Sequence, residues 1–117
     1  MVYRVVRETR VTLDLDIIED YLVLSYQNFG EGVESATSRA TARIKDALSY
    51  MRSLAAHPHR GTEHPEIQPG LRTLTNNRFI YYFKIDELFS EVRILAIFFG
   101  GMDHQRRMLH RLNSGQS

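Results

Sequence analysis

The 117-residue sequence contains no cysteine and no tryptophan, and it has only three prolines. Without cysteine there can be no disulfide, no thiolate metal site and no thiol nucleophile. No apolar run reaches the ~20 residues that a membrane-spanning helix needs. The opening "MVYRVVRETR" is charged and strand-like and lacks the apolar core of a secretory signal, so a cytoplasmic location is expected. Excess charge of one sign is also missing. Lysine and arginine number 15 against 14 aspartates and glutamates, a formal net charge of +1, which excludes a protein-wide field for polyanions. There is no Gly-x-Ser-x-Gly elbow, and Gly100–Gly101 lacks the spacing of a phosphate loop.

What is present is an ordinary soluble composition, 43% hydrophobic and 25% charged, at the modal length of one domain. A single domain is expected over residues 1–117, with 113–117 as a loose tail. "VYRVVRE" is rich in β-branched and aromatic residues and predicts a first strand. Thr9 or Thr12 would cap a helix carrying Asp14 and Asp16 in its first turn. Along "LDLDIIEDYLVLSYQNF", Leu15, Ile18, Leu22, Tyr26 and Phe29 form one apolar stripe, and Leu13, Ile17, Tyr21 and Leu24 a second. Two adjacent stripes predict a largely buried helix. "GEG" ends it, and a second helix follows with Val33, Ala36, Ala40, Ile44, Leu48, Met51 and Leu54 on one face. The short connection makes an antiparallel helical hairpin, and His57–Pro58 stops it.

After a long loop over residues 57–70, "LRTLTN", "RFIYYFKI" and "EVRILAIFF" read as three strands, with "DELFS" as a hairpin connection. The fold class is therefore α+β: an N-terminal strand, a helical hairpin, a three-stranded antiparallel meander in one sheet with the first strand, and a short helix over about 103–112. Strict alternation along the last strand would turn Val92, Ile94, Ala96 and Phe98 toward the helices. Arg93, Leu95, Ile97 and Phe99 would then form a second apolar face. The terminal helix is too short to shelter all of that face, so a partner is expected to cover the remainder.

His57, His59 and His64 match no helical ligand spacing and lie in a proline-flanked loop, so no metal or cofactor is expected. Asp14, Asp16, Glu19 and Asp20 could serve as an acid/base pair, but read more simply as charges offsetting a helix dipole. The serious candidates are Arg72, Arg78, Lys84 and Arg93 on the strands, near Tyr81 and Tyr82. Arginine clamps phosphate and tyrosine stacks or transfers protons, whereas strand-end arginines also simply reach to solvent.

The ordered series "LDLDIIEDYL", "HPHRG", "PGLRTL", "RFIYYFKID" and "EVRILAIFFGGMDHQRRML" resembles the RelE/ParE superfamily of type II toxin–antitoxin toxins over nearly the whole chain. "GLR", "YYFKID" and "VRILAIFFGGMD" are most similar to its ParE, plasmid-stabilisation branch. The resemblance implies a cytoplasmic bacterial toxin silenced by a cognate antitoxin with an acidic tail, the two forming a hetero-oligomer. ParE-like members bind and poison DNA gyrase, which requires a surface rather than a catalytic group. Partner contacts would then fall to Arg72, Arg78, Lys84, Arg93, Asp103, Arg106 and Arg107. RelE-like members cleave messenger RNA on the ribosome. For that chemistry Arg78 matches the strand arginine and His104 is the one substitute for a late tyrosine, while Gly70 stands where a basic residue is expected. A third reading is a non-toxic, antitoxin-binding regulatory member.

Overall fold

A computed structural model describes residues 2–100 and 103–115. Strand β1 (Arg4–Arg7) leads into helices α1 (Arg10–Asn28) and α2 (Val33–Arg52), the latter prolonged by a 3-10 turn at Ser53–Ala55. Strands β2 (Thr62–Glu63), β3 (Arg72–Asn76), β4 (Phe79–Asp86) and β5 (Glu91–Phe99) follow, then helix α3 (His104–Gly115). The sheet order is β1-β5-β4-β3-β2. β1 runs parallel to β5, and the remaining neighbours are antiparallel. The expected architecture is present, with a two-residue strand added from the long loop. α3 continues through Gly115 instead of stopping near residue 112, and residues 116–117 of the expected tail lie outside the described residues.

The helical hairpin forms because Gly30 adopts φ +99°, a left-handed geometry that costs glycine little and closes α1. Ala36 and Ala40 on α2 are fully buried, and their small side chains let the two helices approach closely. Val11, Leu15, Ile18 and Leu22 of α1 join Ala40, Ala47 and Met51 of α2 over Phe79, Tyr81, Phe83, Val92 and Ile94 of the sheet. The α2 face is narrower than its sequence implies. Val33 is 63% exposed, and Ile44 and Leu48 are half-buried against the core.

Two further expectations for α1 fail. Its second stripe is outside: Leu13, Ile17, Tyr21 and Leu24 are 45–61% exposed, because only one side of α1 can meet α2 and the sheet together. Thr9 occupies the N-cap position but makes no side-chain cap bond, and the first turn holds no acid. Asp14 is instead a buried residue one turn further on.

The sheet also departs from strict alternation. Tyr82 pairs with Ala96 and Phe83 with Ile94, leaving Leu95 as an extra residue. A bulge of this kind shifts the face of every residue beyond it. Val92 and Ile94 face the helices as expected, but past Leu95 it is Ile97 and Phe99 that do so. Ala96 and Phe98 turn to the opposite side with Ile80, Tyr82 and Leu71. That second face is closed by the chain itself. Met108 and Leu112 of α3 and Ile67 of the loop pack on it, and Ile80, Tyr82, Ala96 and Phe98 are each at most 6% exposed. What stays open on this face is a small cavity of about 280 Å³ where half-buried Leu95 meets Met108 and Leu112, far less than the broad apolar groove that was expected.

Candidate binding surface

The basic residues singled out in the sequence do not converge. Arg72 pairs with Phe83 across the ladder and lies against the loop, donating to Glu63 at 2.7 Å and to the Arg60 carbonyl at 3.3 Å. Lys84 and Arg93 are cross-strand neighbours, and Arg93 is held by Glu91 at 2.8 Å and Glu8 at 3.7 Å. Arg78 sits beyond the far end of β4 in the β3–β4 turn, at φ +73°. Its guanidinium donates to the Gly100 carbonyl at 3.3 Å and lies 4.8 Å from the Phe99 ring centre. Arg43, which spacing alone does not single out, stands 5.4 Å from the same ring and donates to the Asn77 carbonyl. These two cations brace the hairpin turn.

His104 opens α3 and shares a 2.9 Å hydrogen bond between its Nδ1 and the Tyr82 hydroxyl. Burial pushes the Tyr82 phenol above its ordinary 10.0, so it stays protonated at neutral pH and can donate to that nitrogen. The contact ties α3 to the sheet.

The terminal cluster is brought together. Asp103, Arg106 and Arg107 line a cleft of about 570 Å³ with Arg10, Ile17, His110 and Arg111, floored by Asp14, Ile97 and Phe98. Its structural centre is Asp14, whose side chain is 4% exposed. Arg111 donates to both carboxylate oxygens at 2.5 and 2.9 Å and to the Leu95 carbonyl, while the Ile97 amide donates to Asp14 at 3.0 Å. This pair, with residues 97 positions apart in sequence, fastens α3 across α1 and β5. It removes Asp14 and Arg111 from any role with a ligand. Arg10, Arg107 and His110 have no ion-pair or hydrogen-bond partner through their side chains among the described residues, and Arg106 is only 3.9 Å from Asp103. The rim is therefore cationic.

Ile17 belongs both to this cleft and to the exposed stripe Leu13, Ile17, Tyr21 and Leu24. Cleft and stripe form one continuous surface, apolar along about three turns of α1 and basic along α3. The stripe was legible in the sequence, but there it read as core.

The fold can be set beside known proteins. No family model matches the sequence, and no curated protein does. Among solved structures, a chain of the chromosomal ParDE toxin–antitoxin system from P. aeruginosa superposes with a TM-score of 0.64 at 23% identity, covering 84% of this chain and 96% of that one. A chain of the RelBE2 toxin–antitoxin complex from Mycobacterium tuberculosis superposes at 0.50 and 15% identity, covering 85% and 99%. The chain shares its fold with a chain of each of these two toxin–antitoxin systems. Within it, the arrangement offers a docking surface. The arginines with candidate catalytic roles are spread over both faces and both ends of the sheet, and each engages its own chain.

Proposed function

We propose that this chain is the toxin of a type II toxin–antitoxin pair, of the ParE kind, which inhibits growth by binding DNA gyrase. A cognate antitoxin neutralises it by laying an acidic amphipathic segment over α1 and the α3 cleft. One observation carries the reading: on a fold shared with a ParDE chain, an exposed apolar stripe runs into a cationic rim where Arg10 and Arg107 have no side-chain partner among the described residues. Such a surface suits a disordered acidic tail that folds on contact, burying apolar side chains while Arg10, Arg106 and Arg107 draw its carboxylates. The similarity of "YYFKID" and "VRILAIFFGGMD" to the ParE branch supports gyrase as the target, because poisoning by binding requires no general acid.

Incubation with gyrase and supercoiled plasmid tests it. Cleaved DNA should accumulate in proportion to added protein, and premixing with an acidic protein encoded beside the toxin should suppress it. Unaltered supercoiling with no cleavage would overturn the gyrase target. The His104–Tyr82 contact gives the ribonuclease reading its one foothold, and ribosomes programmed with a defined message check it. Cuts lost in Arg78→Ala or His104→Ala would favour that chemistry. Expression without any effect on growth would favour a regulatory, antitoxin-binding member.

A further inference from the structure

Helix α1 carries opposite charges at the two ends of its exposed stripe. At the N-terminal end, Ile17 borders the cleft rimmed by Arg10, Arg106, Arg107 and His110. At the C-terminal end, Leu24 lies in a groove between α1 and α2, about 610 Å³ in volume, together with Glu19, Asp20, Val23, Thr37 and Thr41. Glu19 accepts from the Thr41 hydroxyl at 3.1 Å. Asp20, and Asp16 one turn before it, are exposed and have no ion pair or side-chain hydrogen bond among the described residues.

Between the two ends run Leu13, Ile17, Tyr21 and Leu24, 45–61% exposed along about 16 Å of helix. The pattern is complementary to itself. When a second copy lays its α1 antiparallel across the first, Leu13 comes opposite Leu24 and Ile17 opposite Tyr21, and the rim of each chain approaches the acids of the other. A parallel crossing would bring both rims to one end, like charge beside like.

We infer that the free chain pairs with a second copy of itself, two-fold and antiparallel, through the α1 stripe. The apolar side chains supply the driving force, and Arg106 and Arg107 facing Asp16 and Asp20 set the direction. A strip of about three turns is small beside the ~800 Å² that each partner gives to a standard interface. A dissociation constant on the order of 10 µM is therefore expected. The inference does not rest on the toxin reading. It uses the face that an acidic segment would cover, so dimer and segment exclude each other.

Sedimentation equilibrium of the full chain across the micromolar range tests it, with the mass expected to rise from one chain to two and no further. Ile17→Glu should weaken pairing about tenfold or more. The charge-reversed variants Arg106→Glu/Arg107→Glu and Asp16→Arg/Asp20→Arg should each remain single chains. Mixed in equal amounts they should pair as well as the parent, because both contacts then join opposite charges again. All four positions are exposed, so each variant should keep the parent melting temperature when diluted below the dissociation constant. The proposal is overturned if the parent stays a single chain throughout, if Ile17→Glu pairs as the parent does, or if the mixed variants fail to pair. Growth beyond two chains would also overturn it, since it marks a head-to-tail contact. No readout uses gyrase or an acidic segment, so the dimer and the toxin reading can each fail without the other.

Discussion

Replacing Arg111 with methionine would remove the guanidinium that neutralises Asp14 while keeping the aliphatic reach of the side chain. The Asp14 side chain is 4% exposed and that of Arg111 17%, so the carboxylate has almost no water to turn to. Only the Ile97 amide would remain to it. Breaking one side of a buried pair costs about 3–5 kcal/mol, because the surviving charge is stranded. A domain of this length has roughly 6–18 kcal/mol in total, so a loss of stability equivalent to on the order of 10 °C in melting temperature is expected. Asp14→Asn should cost less, about 1–2 kcal/mol, because the amide oxygen can still accept from Ile97 and Arg111 can reach solvent. The double variant Asp14→Asn/Arg111→Met should be more stable than Arg111→Met alone, since nothing charged is left inside. Urea unfolding of the four proteins measures the cycle, and exchange at the α3 amides reports whether the helix loosens first. If Arg111→Met stays within about 1 kcal/mol of the parent, the pair does not fasten α3 and the argument fails.

Gly61 holds φ +85°, and a Cβ there would stand 2.2 Å from the Thr73 carbonyl oxygen. Gly61→Ala should cost about 2 kcal/mol or more and unpair β2 from β3, seen as lost amide protection at Thr62 and Glu63. Ile17→Ser and Leu24→Ser, at positions 53% and 61% exposed, should change stability by no more than about 0.5 kcal/mol while weakening capture of the proposed acidic segment. A large drop in melting temperature would place the stripe in the core after all. The Glu91 carboxyl is held below its ordinary 4.5 by the hydrogen bond from Arg4, helped by the charges of Arg4 and Arg93. Glu87 is held low likewise by hydrogen bonds from Tyr3 and His59. A carboxylate depressed in the folded state stabilises above its ordinary value, and that stabilisation is lost as pH falls through the folded one. Stability should therefore decline below about pH 4.5, and Glu91→Gln should flatten that decline in acid titrations followed by circular dichroism.

Periodicity was enough for the elements. The helical hairpin, its glycine break, the meander and the short terminal helix all follow from local spacing, which any segment carries whether or not it is folded. The ordered motifs extended that to the topology. The sequence was also right that large apolar residues exceed what the fold shelters, yet it assigned the surplus to the sheet. The extra residue Leu95 exchanged the residues on the two faces, and α3 with Ile67 then covered most of the second one. A bulge is a property of pairing between β4 and β5, and nothing in "EVRILAIFF" alone marks which residue the partner strand will skip. The second stripe of α1 failed similarly, because a helix records how wide its apolar face is but not how much of that width its neighbours reach.

The sequence by itself determined the kinds of element, their order and the chemistry excluded for want of cysteine. The tertiary structure alone decided which apolar side chains meet water and which charges find one another. Asp14 and Arg111 became a buried pair, and Arg10, Arg106 and Arg107 became a rim. The reason is range: helix and strand periods are set by covalent neighbours, whereas burial and ion pairing are settled between residues that only the packed chain brings within a few ångströms.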